Sequence, residues 1–454
     1  MIERRSFLRT AAAAGATVAA RAQRERPPNI LLVLFDKCRT DAWSCYGERK
    51  GSATPHIDAL AKDGVRFANA FTPAALCGPA RASILTGKYP HVHGLIRNVY
   101  EAPRGRVNTN FPEPIADPFR DPRFKLWDNF AFLLNNAGYA TGCVGKWHLG
   151  PGNPGFFDTF KGFNSLLRHW VAEPHKSRYR PDIHTEDGIR FIEQNADRPW
   201  LLYQSYYAPH EPLDPPKEFA AKFAGQEHAD YYATVAHLDH CVGRFVDALR
   251  RRNLLDNTLV IVTTDHGRTW IDRPGSAEGI SLSYEEVSRI PLAIRYPKLF
   301  PADKVWQSGV TTADLMPTVL EAANVSPALG PPSFGLTPAL QSTSLAERLR
   351  GPDRWTGPVI LHNVPQRGID GSYYDERSVR TAKHKLILRK FEVRPELRAG
   401  ELYDLERDPA ESRNVYQSAP AVVGDLAGQL AAWGRANGDS LSAELGEWAR
   451  QPVL

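Results

Sequence analysis

The chain has 454 residues, of which 42% are hydrophobic and 24% are charged, and its formal net charge is +5. These values are typical of a globular protein with a large core, arranged as two domains or as one large domain with a subdomain. Lysines and arginines are spread along the chain rather than gathered in runs, so there is no nucleic-acid-binding signature, while the mild positive charge suits an anionic substrate.

The N-terminus has the outline of a twin-arginine signal peptide over residues 1–22. Arg4 and Arg5 precede the small apolar run Ala11–Ala20, and Ala20-Arg21-Ala22 supplies small residues for a cleavage site. The apolar run is too short and too rich in alanine to span a bilayer. We therefore expect an exported protein, periplasmic or secreted, with no membrane contact after cleavage.

Continuous apolar runs predict buried strands of a parallel sheet with helices on each side. The first, Asn29–Phe35, ends at Asp36, and the segment after it predicts a helix with Thr54 as its cap and Pro55 in its first turn. Three later strand-like runs also end in ionisable residues: 139–144 precedes Lys146 and His148, 201–206 precedes His210, and 259–264 precedes Asp265 and His266. Because open α/β sheets bind ligands at the carboxyl ends of their strands, these residues are candidates for one site.

The segment Leu76–Gly87 places Cys77 two residues before Pro79 and four before Arg81. Pro79 restricts the backbone, and Arg81, one helical turn on, is placed to neutralise charge beside Cys77. Amides at the start of the following helix favour a sulfate or phosphate group. A buried cysteine that simply enters a helix is the alternative, and this segment alone does not decide between them.

The five cysteines are odd in number and irregularly spaced, which implies neither a disulfide framework nor a zinc cluster. Cys143 and Cys241 lie in apolar or helical patterns and are expected to be buried. Pairing of Cys38 with Cys45 after export is left open.

Taken together, the motifs resemble the type I sulfatases, the formylglycine-dependent family of the alkaline phosphatase superfamily. The resemblance rests on the ordered series Asp36, Cys-Gly-Pro-Ala-Arg at Cys77, Gly-Lys-Trp-His-Leu-Gly at Lys146, Ala-Pro-His-Glu-Pro at His210 and Asp-His-Gly at Asp265. Lesser features agree: Gly155–Phe160, Tyr284-Glu285-Glu286 before Arg289-Ile290-Pro291-Leu292, and Glu401–Pro409.

The resemblance implies an α/β fold, with a large mixed-sheet domain sandwiched by helices and a smaller C-terminal α+β subdomain with an antiparallel sheet. We place the catalytic domain at 27–330 and the subdomain at 331–454, joined at the proline-rich stretch Ser326–Pro338. Short strand-like pieces at 359–363, 378–381 and 385–389 and a helix over 426–436 fit the subdomain.

The resemblance also implies the site. Asp36, Cys77, Asp265 and His266 would be ligands of one divalent cation, most readily Ca²⁺, with Mg²⁺ or Mn²⁺ as alternatives. Cys77 would be converted to formylglycine by a maturation enzyme. Residues expected to surround the nucleophile and the sulfate are Arg81, Lys146, His148 and His210, with Asn98 as a further candidate.

The implied reaction is hydrolysis of a sulfate ester. The hydrated formylglycine would attack sulfur in line to form a sulfated enzyme while His210 protonates the departing alcohol. His148 would then act as the base that releases sulfate and restores the aldehyde.

Two positions depart from the family pattern. Lys37 stands where the family usually has Asp, Asn or Gln, and Ile280 stands where it usually has a sulfate-binding lysine. One hypothesis is compensation, in which Lys37 turns toward the sulfate or Arg268 or Arg273 supplies the missing charge. The rival hypothesis is an exposed Lys37 and a weak or specialised enzyme.

The substrate class stays open at this point. A sulfated carbohydrate is preferred over an aryl sulfate by analogy with exported sulfatases, and the loops at 100–127 and 170–181 are candidates for the pocket rim. A phosphonate monoester or phosphodiester hydrolase of the same fold and a non-catalytic sulfatase-like binding protein are the alternative functions.

Overall fold

The computed structural model describes residues 26–49, 51, 53–99, 117–165, 167–172, 177–270, 282–327, 341–367, 373–391 and 398–451. The predicted signal peptide over 1–22, Arg273 and Ile280 lie outside the described residues, as do most of the loop at 100–127, part of the loop at 170–181 and most of the proposed junction. The domain boundaries therefore stay a prediction.

Strands and helices are interspersed along the described residues. The strands are β1 Asn29–Phe35, β2 Val65–Phe67, β3 Ala70–Phe71, β4 Ala140–Lys146, β5 Thr159–Phe163, β6 Trp170–Ala172, β7 Ser177–Tyr179, β8 Trp200–Ser205, β9 Thr258–Thr264, β10 Arg289–Ile290, β11 Leu292–Arg295, β12 Lys304–Trp306, β13 Val310–Thr311, β14 Val359–Arg367, β15 Tyr373–Arg380, β16 His384–Phe391 and β17 Arg398–Asp404. The helices are α1 Pro55–Lys62, α2 Cys77–Thr86, α3 Pro90–His93, α4 Phe130–Asn136, α5 Arg180–Gln194, α6 Lys217–Ala220, α7 Ala229–Arg251, α8 Glu285–Ser288, α9 Leu315–Ala323, α10 Leu345–Arg350, α11 Pro420–Asn437 and α12 Ser440–Ala449.

An eight-stranded mixed sheet forms the centre of the molecule, in the order β12-β2-β11-β9-β1-β8-β4-β5. Strand β1 pairs in parallel with both β8 and β9, and β4 pairs in parallel with β8, whereas β11 is antiparallel to β9. The predicted parallel core is therefore confirmed, within a sheet that is mixed overall.

Strand β1 is apolar throughout because both of its faces are covered. Ile30, Leu32 and Leu34 belong to one buried cluster, which includes side chains of α4 and α9. Leu31, Val33 and Phe35 belong to another, which includes side chains of α5 and α7. Successive side chains of β1 therefore pack into hydrophobic clusters on opposite faces of the sheet, because side chains alternate between the two faces along a strand.

The C-terminal region contains the expected antiparallel sheet, in the order β14-β15-β16-β17. Helices α11 and α12 cover it, and their Leu426, Leu430 and Leu445 pack with Ile360 and Leu386 of the sheet. The fold class expected from the sequence is confirmed. Among the described residues, no helix is both long and apolar enough to cross a bilayer.

Two local expectations hold only in part. Thr54 is the N-cap residue of α1 and Pro55 lies in its first turn, as predicted, but the Thr54 side chain makes no capping bond to the backbone and instead bonds the side chains of Asp58 and Ser44. Alternation along an extended strand would aim Lys146 and His148 to the same side, but the strand ends at Lys146 and His148 adopts a left-handed backbone (φ 56°). Cys143 and Cys241 are buried as predicted, and Cys38 and Cys45 are free rather than paired.

Gly145, in β4, is a position where the fold requires glycine. Its φ is +95°, and a Cβ added there would overlap the carbonyl oxygen of Ser205 on the neighbouring strand. Both features disfavour any side chain at this point, one residue before Lys146.

Gly145→Ala should therefore lower the free energy of unfolding by about 2 kcal/mol or more, since the strained φ and the overlap act together. Gly138→Ala is the matched control, because Gly138 also has a positive φ (+87°) but no atom within 4 Å of an added Cβ. It should cost only about 1 kcal/mol. Urea denaturation midpoints of the two variants and the parent would measure the difference, and equal midpoints for the variants would contradict the overlap.

Candidate active site

Cys77 is the first residue of α2 and is 3% exposed. The backbone amide of Gly78 donates to Asn98 Oδ1 at 2.8 Å, and an added Cβ on Gly78 would lie 3.1 Å from that oxygen. Asn98, a predicted site residue, thus contacts the backbone beside Cys77. Burial and the nearby Asp36 raise the pKa of the Cys77 thiol to about 12, so the thiol stays protonated near neutral pH.

The four predicted metal ligands come together around Cys77. Asp36, Cys77, Asp265 and His266 are all buried, and each offers a ligand atom within 4.8 Å of the others. Cys77 Sγ lies 3.2 Å from His266 Nε2 and 3.7 Å from Asp36 Oδ1. The elements explain this meeting, because Asp36 follows β1 and Asp265 follows β9, two parallel neighbours whose carboxyl ends share an edge.

The ring orientation of His266 suits a metal ligand. Its Nδ1 lies 2.7 Å from the carbonyl oxygen of Gly267, which can only accept a hydrogen bond. The proton of a neutral ring therefore sits on Nδ1, and Nε2 presents its lone pair to the cluster. Burial also lowers the pKa of His266 and favours the neutral ring. Two carboxylates and one imidazole nitrogen thus fit a divalent cation.

Arg81 is fully buried and joins the ends of four strands. Its Nε donates to Asp265 Oδ2 at 3.0 Å, and one terminal nitrogen lies 3.2 Å from Asp36 Oδ2. The other terminal nitrogen donates to the carbonyl oxygen of Lys146 at 2.8 Å and to Ser205 Oγ at 2.7 Å. The guanidinium therefore satisfies both carboxylates and fixes the strand ends.

Lys146 adds a second buried cation, and its Nζ donates to Asp36 Oδ2. Burial alone would raise the pKa of Asp36, but Lys146, His210 and Arg81 outweigh burial and hold that pKa below its ordinary value. Asp36 is consequently a carboxylate over the whole physiological pH range.

The two predicted catalytic histidines differ in their partners. His148 is buried, its Nδ1 has no hydrogen-bond partner, and burial with Lys146 and Arg81 lowers its pKa well below the ordinary value. His210 stacks on Tyr207, with ring centroids 4.5 Å apart, and its Nδ1 lies 3.0 Å from its neighbour's carbonyl oxygen at Glu211. Burial lowers the pKa of His210 to about 4.

Lys37 is 5% exposed, so the sequence-based alternative of an exposed lysine is wrong. Its Nζ lies 3.2 Å from Glu211 Oε2, while its backbone amide donates to Asp265 Oδ1 at 3.2 Å. Arg268 pairs with the other oxygen of Glu211. The ammonium therefore pairs with a carboxylate that is not one of the four metal-ligand candidates, and a role for Lys37 in binding substrate stays a prediction.

Sequence reasoning missed Glu211 and Ser205. Glu211 offsets Lys37 and Arg268, and these two cations hold its pKa at about 2 despite partial burial. The sequence signal that could have identified Glu211 as a site residue is its position directly after His210. Ser205 ends β8 beside β1, and only the strand order shows that it faces Arg81.

Two family models match the chain: "Sulfatase" over residues 28–325 and "N-sulphoglucosamine sulphohydrolase, C-terminal" over residues 280–432. An arylsulfatase of Clostridium perfringens is 26% identical, with 86% of this chain and 90% of that protein covered. An N-acetylglucosamine-6-O-sulfatase of Bacteroides thetaiotaomicron is 24% identical, with 86% and 83% covered.

Solved structures share the fold. One, solved in complex with its substrate D-glucosamine-2-N,6-O-disulfate, superposes with a TM-score of 0.70 at 23% identity and covers 93% of this chain and 100% of its own. A phosphonate monoester hydrolase of Agrobacterium radiobacter has a TM-score of 0.66 at 21% identity, with 87% and 93% covered. At such identities these two structures establish the fold alone.

Replacing Arg81 tests whether it holds the site together. Arg81→Met keeps much of the side-chain volume but leaves Asp265 and Asp36 without their shared cation, so the free energy of unfolding should fall by about 3–5 kcal/mol. Arg295→Met is the matched control: this arginine is also buried, but its ion-pair partner Asp256 is exposed. The control should cost about 1 kcal/mol. Denaturation midpoints that shift equally in both variants would contradict the central role of Arg81.

Proposed function

The chain belongs to the sulfatase family and is a sulfuric ester hydrolase, and on this premise we propose that it cleaves a sulfate monoester of a carbohydrate through a formylglycine made from Cys77. The observation that carries the proposal is the buried cluster of Asp36, Cys77, Asp265 and His266 beside Arg81 and Lys146. It combines cation ligands, positive charge and one cysteine at a helix start.

The environment of Cys77 supports its conversion. A thiol whose pKa is raised to about 12 has almost no thiolate near neutral pH and is a poor nucleophile. A formylglycine at this position would supply a hydrate, one hydroxyl of which would serve as the nucleophile toward sulfur and the other of which would release sulfate as the aldehyde forms again. The contact of Gly78 with Asn98 holds the backbone at this residue. A maturation enzyme would have to act before Cys77 is buried.

Asp36, Asp265, His266 and the residue at position 77 would hold one divalent cation, which supplies positive charge to the nucleophile and to a sulfate oxygen when bound. The two carboxylates favour Ca²⁺, with Mg²⁺ or Mn²⁺ as alternatives that suit the histidine. Arg81 and Lys146 would hold the carboxylates ionised and in place, as they do in the structure.

His210 would protonate the departing alcohol. Its Nδ1 side is occupied by the Glu211 carbonyl oxygen, and Glu211 Oε2 lies 3.3 Å from the same nitrogen, which leaves Nε2 for the substrate. A general acid needs a protonated ring. Burial lowers the pKa of His210 to about 4, and the Asp36 carboxylate and the hydrogen bond to the Glu211 carbonyl oppose that shift and favour the protonated form. His148, with an unpartnered Nδ1, would serve as the base that releases sulfate.

Two substrate classes are supported by specific relatives. N-acetylglucosamine-6-O-sulfatase is among the named relatives, and a structural neighbour was solved with a sulfated glucosamine, which favours a sulfated sugar. The phosphonate monoester hydrolase neighbour makes phosphonate esters the second candidate. Export through a twin-arginine signal would place the enzyme outside the cytoplasm, where such polysaccharide fragments occur.

A substrate panel tests the proposal. We expect release of sulfate from at least one sulfated monosaccharide or oligosaccharide, with kcat/KM for an aryl sulfate exceeding that for the matching aryl phosphonate by at least about tenfold. The opposite ratio would establish the phosphonate hydrolase instead. Ion chromatography of released sulfate and phosphonate provides the measurement.

Cys77→Ala tests whether the activity measured with the substrate panel depends on Cys77. Cys45→Ala is the matched cysteine control. Only Cys77→Ala should abolish turnover, and mass spectrometry of the tryptic peptide Phe67–Arg81 should show sulfur replaced by an aldehyde oxygen. An active enzyme whose Cys77 is entirely unmodified would contradict the formylglycine mechanism.

Lys37→Gln tests the compensation hypothesis. Lys37 contributes positive charge near both His210 and His266, so its loss should lower kcat/KM for an aryl sulfate about tenfold, a change of ~1.4 kcal/mol. Lys222→Gln, which removes a lysine far along the chain on a short helical turn, is the control and should leave kcat/KM unchanged. Unchanged or improved turnover in Lys37→Gln would sink the idea that Lys37 compensates.

A further inference from the structure

A second cluster of metal-ligand side chains lies where α3 meets the C-terminal sheet and helices. His91 belongs to α3, His362 to β14, and Asp439 is the residue before α12. Each offers a ligand atom within 4.8 Å of the other two. None of these residues takes part in the sulfate-ester chemistry proposed above.

Both histidines have nitrogens that lack partners. His362 is 2% exposed, and neither of its ring nitrogens makes a hydrogen bond, although Nε2 lies 3.5 Å from Asp439 Oδ2. His91 Nδ1 is likewise buried without a partner. Unsatisfied polar atoms are uncommon in protein interiors, and three of them within one cluster require an explanation.

The outer nitrogen of His91 is arranged as in metal-binding histidines. His91 Nε2 lies 3.0 Å from the carbonyl oxygen of Asn437, which only accepts hydrogen bonds. Gln341 Nε2 also approaches this nitrogen, at 3.3 Å, but it has Asn437 Oδ1 as an acceptor at 3.2 Å. With its proton on Nε2, a neutral His91 keeps a lone pair on Nδ1, the nitrogen that has no hydrogen-bond partner.

The carboxylate of Asp439 is oriented by hydrogen bonds of its own. Oδ2 accepts from Arg377 Nε at 2.7 Å and from Ser442 Oγ, whereas Oδ1 accepts one longer bond from Arg377, at 3.3 Å. Oδ1 therefore retains a lone pair, and such outer partners are usual for ligating carboxylates. The Arg377 charge opposes a second cation, which sets an upper limit on its affinity.

Aromatic side chains surround His362, and its contact with Asp439 is longer than a hydrogen bond of good geometry. Tyr89 and Trp433 enclose the imidazole, with ring centroids 5.3 and 5.4 Å away. An imidazole with no hydrogen bond on either ring nitrogen has a nitrogen available as a ligand for a transition metal.

We propose that His91, His362 and Asp439 bind one Zn²⁺ ion, which links α3 to the C-terminal sheet and helices. Two imidazole nitrogens and one carboxylate oxygen are a common zinc donor set, and a water molecule would complete four-coordination. The ion is structural, and because α3 follows α2 in the chain, it would also restrain the segment next to Cys77.

The test is zinc uptake by the full chain after chelator treatment and dialysis. The parent should bind one more Zn²⁺ than either His91→Gln or His362→Phe, measured by elemental analysis after gel filtration, and titration should show the variants weakened by about 100-fold or more at this site. Zn²⁺ should raise the melting temperature of the parent more than that of the variants. Gln preserves the bond to the Asn437 carbonyl, and Phe preserves the ring packing around position 362.

His240→Gln, an exposed histidine of α7, is the matched control and should keep the additional zinc. Zinc bound by the cluster around Cys77 contributes equally to all proteins, so the difference reports on the second site alone. Equal zinc content in the parent and in His91→Gln would overturn the proposal, and His91→Gln keeps the test valid if His362→Phe fails to fold. Because zinc uptake is measured without a sulfatase assay, failure here is distinct from failure of the proposed function.

Discussion

The candidate active site depends on the hydrogen bonds and ion pairs of one buried group, the guanidinium of Arg81. It contacts both carboxylates that would bind a cation, and it also holds the carbonyl of Lys146 and the hydroxyl of Ser205. Those groups come from the carboxyl ends of β1, β9, β4 and β8, so one side chain fixes the relative positions of four strand ends. A buried carboxylate pair without such a cation would be strongly destabilised.

The burial that strengthens these contacts also determines the chemistry available to Cys77. In a dry site flanked by Asp36, a thiol keeps its proton, because a thiolate would lose hydration and meet a like charge. A neutral carbonyl group at the same position avoids that difficulty, since its hydrate reacts through a hydroxyl beside fixed positive charges. The strong electrostatics of the site and the low reactivity of an unmodified thiol in it are therefore consequences of the same low-dielectric environment.

Lys37 shows how a departure from a family pattern is accommodated. A cation beside Asp36 would repel a bound metal ion. The Lys37 ammonium is paired with Glu211, and Arg268 pairs with the other oxygen of the same carboxylate. Glu211 also lies beside His210, so one carboxylate contacts both Lys37 and the proposed general acid. The His91, His362 and Asp439 cluster is independent of this network and belongs to the contact between α3 and the C-terminal elements.

The sequence by itself determined the parallel core and the gathering of Asp36, Asp265 and His266, because continuous apolar strands ending in ionisable residues bring those residues to one edge of a parallel sheet. The family resemblance of the motifs implied that Cys77 joins them and that a C-terminal subdomain follows. Only the tertiary structure decided the partners of these residues. Strand order places Ser205 against Arg81. The path of the loops pairs Glu211 with Lys37 and gives His148 a left-handed backbone. His91, His362 and Asp439 are far apart in the chain, and no local pattern relates them. Their meeting is a long-range contact, which depends on how separate elements pack rather than on local propensity.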